Sequence, residues 1–324
     1  MCRWGDPSAR TCEPYSVPVK PLTRFVLFAA PIAIAASILF NGGGDDPELP
    51  ADSPAAADPA DSSVGPDPYA AANDEERRQL DERVAAMPAG LDAPAKRELA
   101  WKLLASSESS TLDWRGQYAT IDDNGDGTGY TAGIVGFCSG THDMLTFVEA
   151  FTKDHPDSPL TPFVPALRKV DGTGSHKGLD PGFTAAWKKS ATDPVFRAAQ
   201  DRVRDKQYFE PAVRLAKLDG LGTLGQFIYF DAMVLQGPGT APDGFYGIRK
   251  AALAEADTVD EGGDEKAYLD AFLDAARAVM KSKKNQHDTS RIDTTQREFL
   301  YDGNLALKPP LTWKMYGETF HVAS

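Results

Sequence analysis

Residues 106–145 read SSESSTLDWRGQYATIDDNGDGTGYTAGIVGFCSGTHDML, and within them a helix-period sequence gives way to a glycine-rich turn between short β-prone runs. Upstream, the apolar positions of Ala95–Ser107 recur at helical spacing, which predicts a helix ending beside Glu108. Downstream, the runs Tyr118–Ile121 and Gly129–Thr131 flank the turn that carries Asp126, which predicts a small hairpin beside the helices. Glu108 and Asp126 are the two groups that a hydrolase of sugar polymers needs. One carboxylic acid protonates the leaving oxygen, and one carboxylate activates water across the sugar ring. Glu108 follows a packed helix, so it is expected against a surface that excludes water, the setting of a proton donor. Gly125, Gly127 and Gly129 leave the backbone around Asp126 uncrowded, so its carboxylate can face an open groove with room for a water molecule.

The rest of the chain reads as mostly helical. Apolar periodicity predicts helices near His142–Lys153, Thr161–Val170, Asp193–Asp219, Leu221–Leu235, Gly244–Ala256, Glu265–Lys283 and Thr294–Tyr301, with strands few and short and no repeat. With 324 residues, 42% of them hydrophobic and 10% aromatic, the chain can bury a substantial core, which excludes a wholly disordered protein.

The N-terminal part is organised differently. Arg3, Arg10, Lys20 and Arg24 precede the uncharged run FVLFAAPIAIAASILF at Phe25–Phe40. Sixteen residues interrupted by Pro31 are short for a membrane span and match an export signal. No small-x-small cleavage site directly follows Phe40, so residues 1–41 read as a signal peptide or an N-terminal signal anchor. Residues 42–86 are rich in Ala, Pro, Asp, Gly and Ser and read as a disordered linker, with a short helix possible at DEERRQLDERVAAM (Asp74–Met87) before the folded unit, 87–324.

The chain has 34 basic and 47 acidic residues; beyond Asn41, 30 basic face 45 acidic ones. That balance argues against nucleic acid and against anionic membrane surfaces, and it steers a cationic ligand inward. Cys2 and Cys12 precede the apolar run, so a cleaved product keeps only Cys138 and has no intrachain disulfide. In the apolar context IVGFCSG, Cys138 reads as a small buried hydrophobe rather than a nucleophile. Asp122, Asn124, Asp126 and Gly127 match the first half of a calcium loop, but Gly133 stands where the bidentate Glu belongs, and no metal is expected.

Taken together, LDW at Leu112–Trp114, GDGTGYT at Gly125–Thr131 and GFCSGTHDML at Gly136–Leu145 resemble the family 46 chitosanases. So do YFEPAV at Tyr208–Val213, LGQFIYFDA at Leu224–Ala232, GPG at Gly237–Gly239, GIRK at Gly247–Lys250, GGDE at Gly262–Glu265, DTSR at Asp288–Arg291 and the final PPLTWKMYG. The resemblance implies an endo-acting, inverting hydrolase of the β-1,4 links of chitosan, with no cofactor. It also implies a mainly α-helical, two-lobed, lysozyme-like α+β fold with a small antiparallel sheet in one lobe and the cleft between lobes. By the same resemblance Glu108 is the general acid, Asp126 the general base and Thr131 a holder of the attacking water. Ser110, Gly136 and Asp143 are substrate-binding positions, and Asp231 and Arg291 belong to a supporting ion-pair network. The expected partners are glucosamine oligosaccharides, and the expected state is a secreted monomer without a stable membrane partner.

The sequence departs from that family's pattern at Thr120, Thr128, Gln236 and Ala276, which bears on subsite affinity and pH dependence but not on the catalytic pair. Arg277 is no obvious substitute at Ala276, because neighbours on a helix point about 100° apart. The alternative is a non-catalytic chitosan-binding protein on the same fold. Binding without release of reducing ends would mark it.

Overall fold

A computed structural model describes residues 68–125, 127–282 and 288–323; the expected export segment 1–41, residues 42–67 of the expected linker and Asp126 lie outside the described residues. Chain order begins with α1 (Pro68–Ala71), α2 (Asp74–Ala86) and α3 (Pro94–Ser109), followed by a 3₁₀ turn at Trp114–Ala119. Three short strands come next, β1 (Ile121–Asp123), β2 (Tyr130–Ala132) and β3 (Phe137–Cys138), then α4 (Asp143–Asp154), α5 (Val164–Val170), α6 (Phe183–Ser190) and α7 (Pro194–Arg204). After a π turn at Asp205–Phe209 the chain continues through α8 (Glu210–Leu218), α9 (Thr223–Gln236), α10 (Phe245–Leu253) and α11 (Glu265–Ser282). A second π turn at Ile292–Gln296 leads into α12 (Arg297–Tyr301) and the hairpin of β4 (Leu311–Met315) and β5 (Glu318–Val322).

Two hydrophobic cores divide these elements into two lobes. The first gathers Trp101, Leu104, Phe209, Phe227, Phe230, Phe272 and Trp313 from α3, α8–α12 and the β4–β5 hairpin. The second gathers Tyr118, Ile121, Phe137, Phe147, Phe183, Trp187 and Phe196 from β1–β3 and α4–α7. Trp114 packs against both. Helices dominate and the sheets are small and antiparallel, as expected; β1 pairs with β2 with Ile121 opposite Ala132 and Asp123 opposite Tyr130, and β2 pairs with β3. Among the described residues no helix is long and apolar enough to cross a membrane.

The lobes meet at the π turn. The sequence predicts one helix over Asp193–Asp219, and the structure widens it at Asp205–Phe209. Pro211 has no N–H to give the carbonyl four residues back, and its ring crowds that carbonyl. The helix adapts with an i→i+5 turn in which the Glu210 N–H donates to the Asp205 carbonyl. Arg204, buried at this junction, lies 3.7 Å over the Trp101 ring and 5.8 Å over Trp114 while pairing with Asp201 and Asp205.

Three expectations need correcting. Residues 68–86 are expected in the linker, with a short helix at Asp74–Met87; that helix is α2, but α1 precedes it, and α2, with an Asn73/Glu76 capping box, is tied by Arg83 to Asp260 of the first lobe. The charged sequence of α2 buries no residue, which is why the sequence alone sets it outside the folded unit. The strand expected at Tyr118–Ile121 starts only at Ile121, because Asp113 caps a 3₁₀ turn by accepting from the Gly116 N–H at 3.1 Å. Finally, Gly129 is not in open space: a Cβ there would press on Ser139 Oγ and lie 3.6 Å from Gly174 Cα.

Trp187 is fully buried between Phe137, Phe147, Phe183 and Phe196, and its Nε1 donates to the Tyr118 carbonyl at 3.1 Å. Trp187→Ala should therefore cost about 3–5 kcal/mol in urea unfolding. A loss under about 1 kcal/mol would show that this ring is not the centre of the second core.

Candidate active site

Glu108 occupies the last turn of α3, which Ser110 ends in a left-handed conformation (φ 48°). This turn is tied from outside as well as within. Ser106 and Ser107 donate back to the Leu103 and Leu104 carbonyls, the usual local bond of a helical serine. The C-terminal hairpin then reaches over: Trp313 Nε1 donates to Ser106 Oγ at 3.0 Å, and the Tyr316 hydroxyl donates to the Ser107 carbonyl at 2.7 Å.

Beneath the turn lies Arg291, only 4% exposed, which donates to Ser107 Oγ at 2.8 Å and pairs with Glu108 Oε1. Its Nε stands 3.4 Å from Asp231 Oδ2, on the buried α9. Gln296 Nε2 donates to the same Asp231 oxygen at 2.6 Å. Glu108 thus faces a buried guanidinium rather than the apolar wall that the sequence suggested, and 24% of its side chain stays open to solvent. Loss of solvation pushes the Asp231 carboxyl up to about 6, with the Arg291 guanidinium pulling the other way and the Glu108 charge adding to the rise.

The opposing wall belongs to the second lobe, where Cys138 links three of the expected site residues. Thr131 Oγ1 lies 3.4 Å from Cys138 Sγ, Cys138 Sγ donates to the Gly136 carbonyl at 3.3 Å, and the Cys138 N–H donates to Asp143 at 3.1 Å. The Thr141 hydroxyl donates to Asp143 at 2.5 Å. Asp143 is exposed, yet loss of solvation raises its carboxyl above the usual range, with the hydrogen bonds from Thr141 and the Cys138 N–H pulling the other way. Burial raises the Cys138 thiol, which suits a packing role rather than a nucleophile. Tyr208, on the π turn between lobes, has its phenol pushed up to about 12 by burial and by the Asp143 charge.

Asp126 lies outside the described residues. Of its neighbours, Gly125 (φ 71°) and Gly127 (φ 88°) are left-handed, and a Cβ on either would meet nothing within 4 Å, so glycine serves backbone conformation there. Among the described residues no group of three or more His, Cys, Asp or Glu side chains converges as a metal site. Arg277 pairs with Asp293 at 2.7 Å and does not join the Asp231–Arg291–Glu108 set, and Ala276 is buried. Sequence reasoning missed Ser107, Gln296 and Tyr316 as neighbours of that set. Ser107 adjoins Glu108, but its contact with Arg291 spans 184 positions, and Gln296 and Tyr316 lie about two hundred positions from Glu108, beyond the reach of any local pattern.

Comparison with known proteins places this geometry. The profile of glycosyl hydrolase family 46 matches residues 102–311. A chitosanase of Streptomyces sp. is 53% identical over 236 residues, covering 73% of this chain and 85% of that protein. A chitosanase of Nocardioides sp. is 51% identical over 235 residues, covering 72% and 84%. The co-crystal structure of chitosanase OU01 with substrate superposes with a TM-score of 0.70 at 48% identity, over 73% of this chain and 100% of that one.

A raised Asp231 pKa fixes the sign of a stability effect. In the unfolded chain an Asp titrates near 3.9, and in the fold Asp231 titrates near 6, so between these values the folded state holds the extra proton. The contribution of Asp231 is then fully present below about pH 4 and is lost as pH rises through about 6. The melting temperature of the wild type relative to Asp231→Asn should fall as pH rises from 4 to 7. A difference that is flat or grows over that window would contradict the assigned environment.

Proposed function

The chain belongs to glycosyl hydrolase family 46, and on that premise we propose that Glu108 and Asp126 are the acid and base with which it cleaves the β-1,4 links of chitosan by inversion. The observation that carries the role of Glu108 is its seat. Arg291 holds Oε1, the last turn of α3 is braced by Trp313 and Tyr316, and Oε2 is left to carry the proton to the leaving oxygen. Asp126 takes a proton from water on the other face of the sugar, and the new bond forms opposite the one that breaks, so the anomeric configuration inverts. Acid and base on separate elements leave room for that water, since inverting pairs stand roughly 6.5–9.5 Å apart. The buried Thr131 hydroxyl, at Cys138 Sγ, both donates and accepts, which suits it to orient the water as well.

Substrate choice follows from charge. A glucosamine polymer carries an ammonium on each unit, and the chain has a net charge of −13. Asp143, exposed on the second-lobe wall, is the charge-assisted partner for one ammonium, with Ser110 and Gly136 lining the same path. Residues 1–41 export the enzyme as a cleaved signal or as an anchor, and the catalytic unit, 87–324, works outside the cell as a monomer.

Purified enzyme given a glucosamine hexamer should cut internal links and release fresh α-anomers by proton NMR. Glu108→Gln and Asp126→Asn should each lose on the order of 100-fold or more in kcat with melting preserved. Fresh β-anomers would replace the base role of Asp126 with a nucleophile, and near-normal turnover in either variant would remove it from the pair.

A further inference from the structure

One segment of the second lobe holds both flanks of the turn that carries Asp126. It is the connection between α5 and α6, residues 171–182. Ahead of position 126, His176 Nε2 lies 3.2 Å from Asp123 Oδ2, at the end of β1. Behind it, Gly174 lies against Gly127 so closely that a Cβ on Gly174 would come within 2.6 Å of the Gly127 carbonyl oxygen. Such backbone-on-backbone contact admits no residue larger than glycine.

The imidazole is itself fixed on several sides. Its ring stacks on Tyr130 of β2, with centroids 3.9 Å apart and planes 8° from parallel. Its Nδ1 faces Asp180 Oδ2 at 3.7 Å, and the Tyr130 hydroxyl donates to Asp180 Oδ1 at 2.7 Å. The Nε2 atom is closed off from solvent and makes no hydrogen bond, so the Asp123 carboxylate at 3.2 Å is its polar neighbour there by proximity and charge rather than by an aligned N–H bond. The segment is anchored at its start as well, where Asp171 accepts from the His142 N–H at 3.0 Å and faces the His142 ring at 2.5 Å. Asp123 also shapes the turn itself, accepting from the Gly125 N–H at 2.7 Å. A carboxylate that both closes the turn and faces an anchored imidazole passes the imidazole's position on to the turn.

We propose that His176 is a positioning residue for hydrolysis: by holding Asp123 it sets where the β1–β2 turn, and so its base, stands relative to Glu108. The proposal rests on Asp126 being that base. Its role is in kcat and not in binding, because the groups His176 faces are Asp123, Tyr130 and Asp180, none of them a proposed substrate-binding position. A base displaced by about an ångström can cost up to about 100-fold in rate while the substrate still binds.

The test is steady-state hydrolysis of glucosamine hexamer by the full chain carrying His176→Phe or His176→Gln, with melting temperatures measured alongside. Phenylalanine keeps the stack on Tyr130 but has nothing to offer Asp123; glutamine places an amide N–H near the position of Nε2. His176→Phe should lose about 10-fold to 100-fold in kcat with KM within about twofold, and His176→Gln should stay within about threefold of wild type. Normal kcat in a folded His176→Phe, a loss carried by KM, or a glutamine variant as impaired as the phenylalanine one would overturn the role. So would a kcat loss that only tracks a fall in melting temperature across both variants. Asp126→Asn, measured in parallel, separates this proposal from its premise. An inactive Asp126→Asn beside a normal His176→Phe removes only the positioning role, whereas an active Asp126→Asn removes the base assignment and the proposal together.

Discussion

Everything near Glu108, the proposed acid, depends on one buried cation. A guanidinium withdrawn from water must be matched by carboxylates and hydrogen-bond acceptors, and breaking such a buried pair by removing one partner costs about 3–5 kcal/mol. Arg291 answers that demand in charge with Glu108 and Asp231 and through the hydrogen bonds of Nη2 to Ser107 and Glu108, while Nε and Nη1 make no hydrogen bond; Gln296 donates to Asp231. These residues come from α3, α9, the start of the second π turn and the turn itself, so one charge fixes the relative placement of three helical elements. Glu108 is therefore held by the core of the first lobe rather than by a surface loop. That is the rigidity that proton transfer to a leaving group demands.

A second constraint works between the lobes. The chain runs from one to the other near Trp114 and again through the Asp205–Phe209 turn, and Arg204 braces the junction by lying on Trp101 while paired with Asp201 and Asp205. A guanidinium stacked on an indole adds on the order of 1–2 kcal/mol when desolvated, and its flat geometry resists tilting. The proline that cannot complete the helix ladder thus has a use. It creates the widened turn on which Tyr208 stands, beside Asp143.

Much of this was legible in the sequence, and the parts that were not share a cause. Helix periodicity located α3, α4, α9, α10 and α11 to within a few residues, since each buries an apolar face of several turns. The eight-residue α6 was missed although Phe183 and Trp187, four positions apart, mark its buried face. The β4–β5 hairpin was missed although Leu311, Trp313 and Met315 alternate cleanly with exposed Thr312 and Lys314, a period-two signal that was there to be read. At the site, motif resemblance pointed to Asp231 and Arg291, and the structure brings both to Glu108. Ser107, Gln296 and Tyr316 carried no such motif role, because what assigns them is a tertiary contact between distant segments.

The bracing of α3 from the far end of the chain has a consequence in time. Synthesis runs from the N-terminus, so Glu108 is made some 180 residues before Arg291 and some 200 before Tyr316. Until those residues have joined the fold, the last turn of α3 lacks its counter-charge and its outer clamps. The second lobe, whose core is drawn from residues 118–203, has no such dependence and can assemble earlier. A partly made chain, or one trimmed at its final hairpin, is therefore left with a shaped second lobe but a Glu108 that lacks its outer clamps.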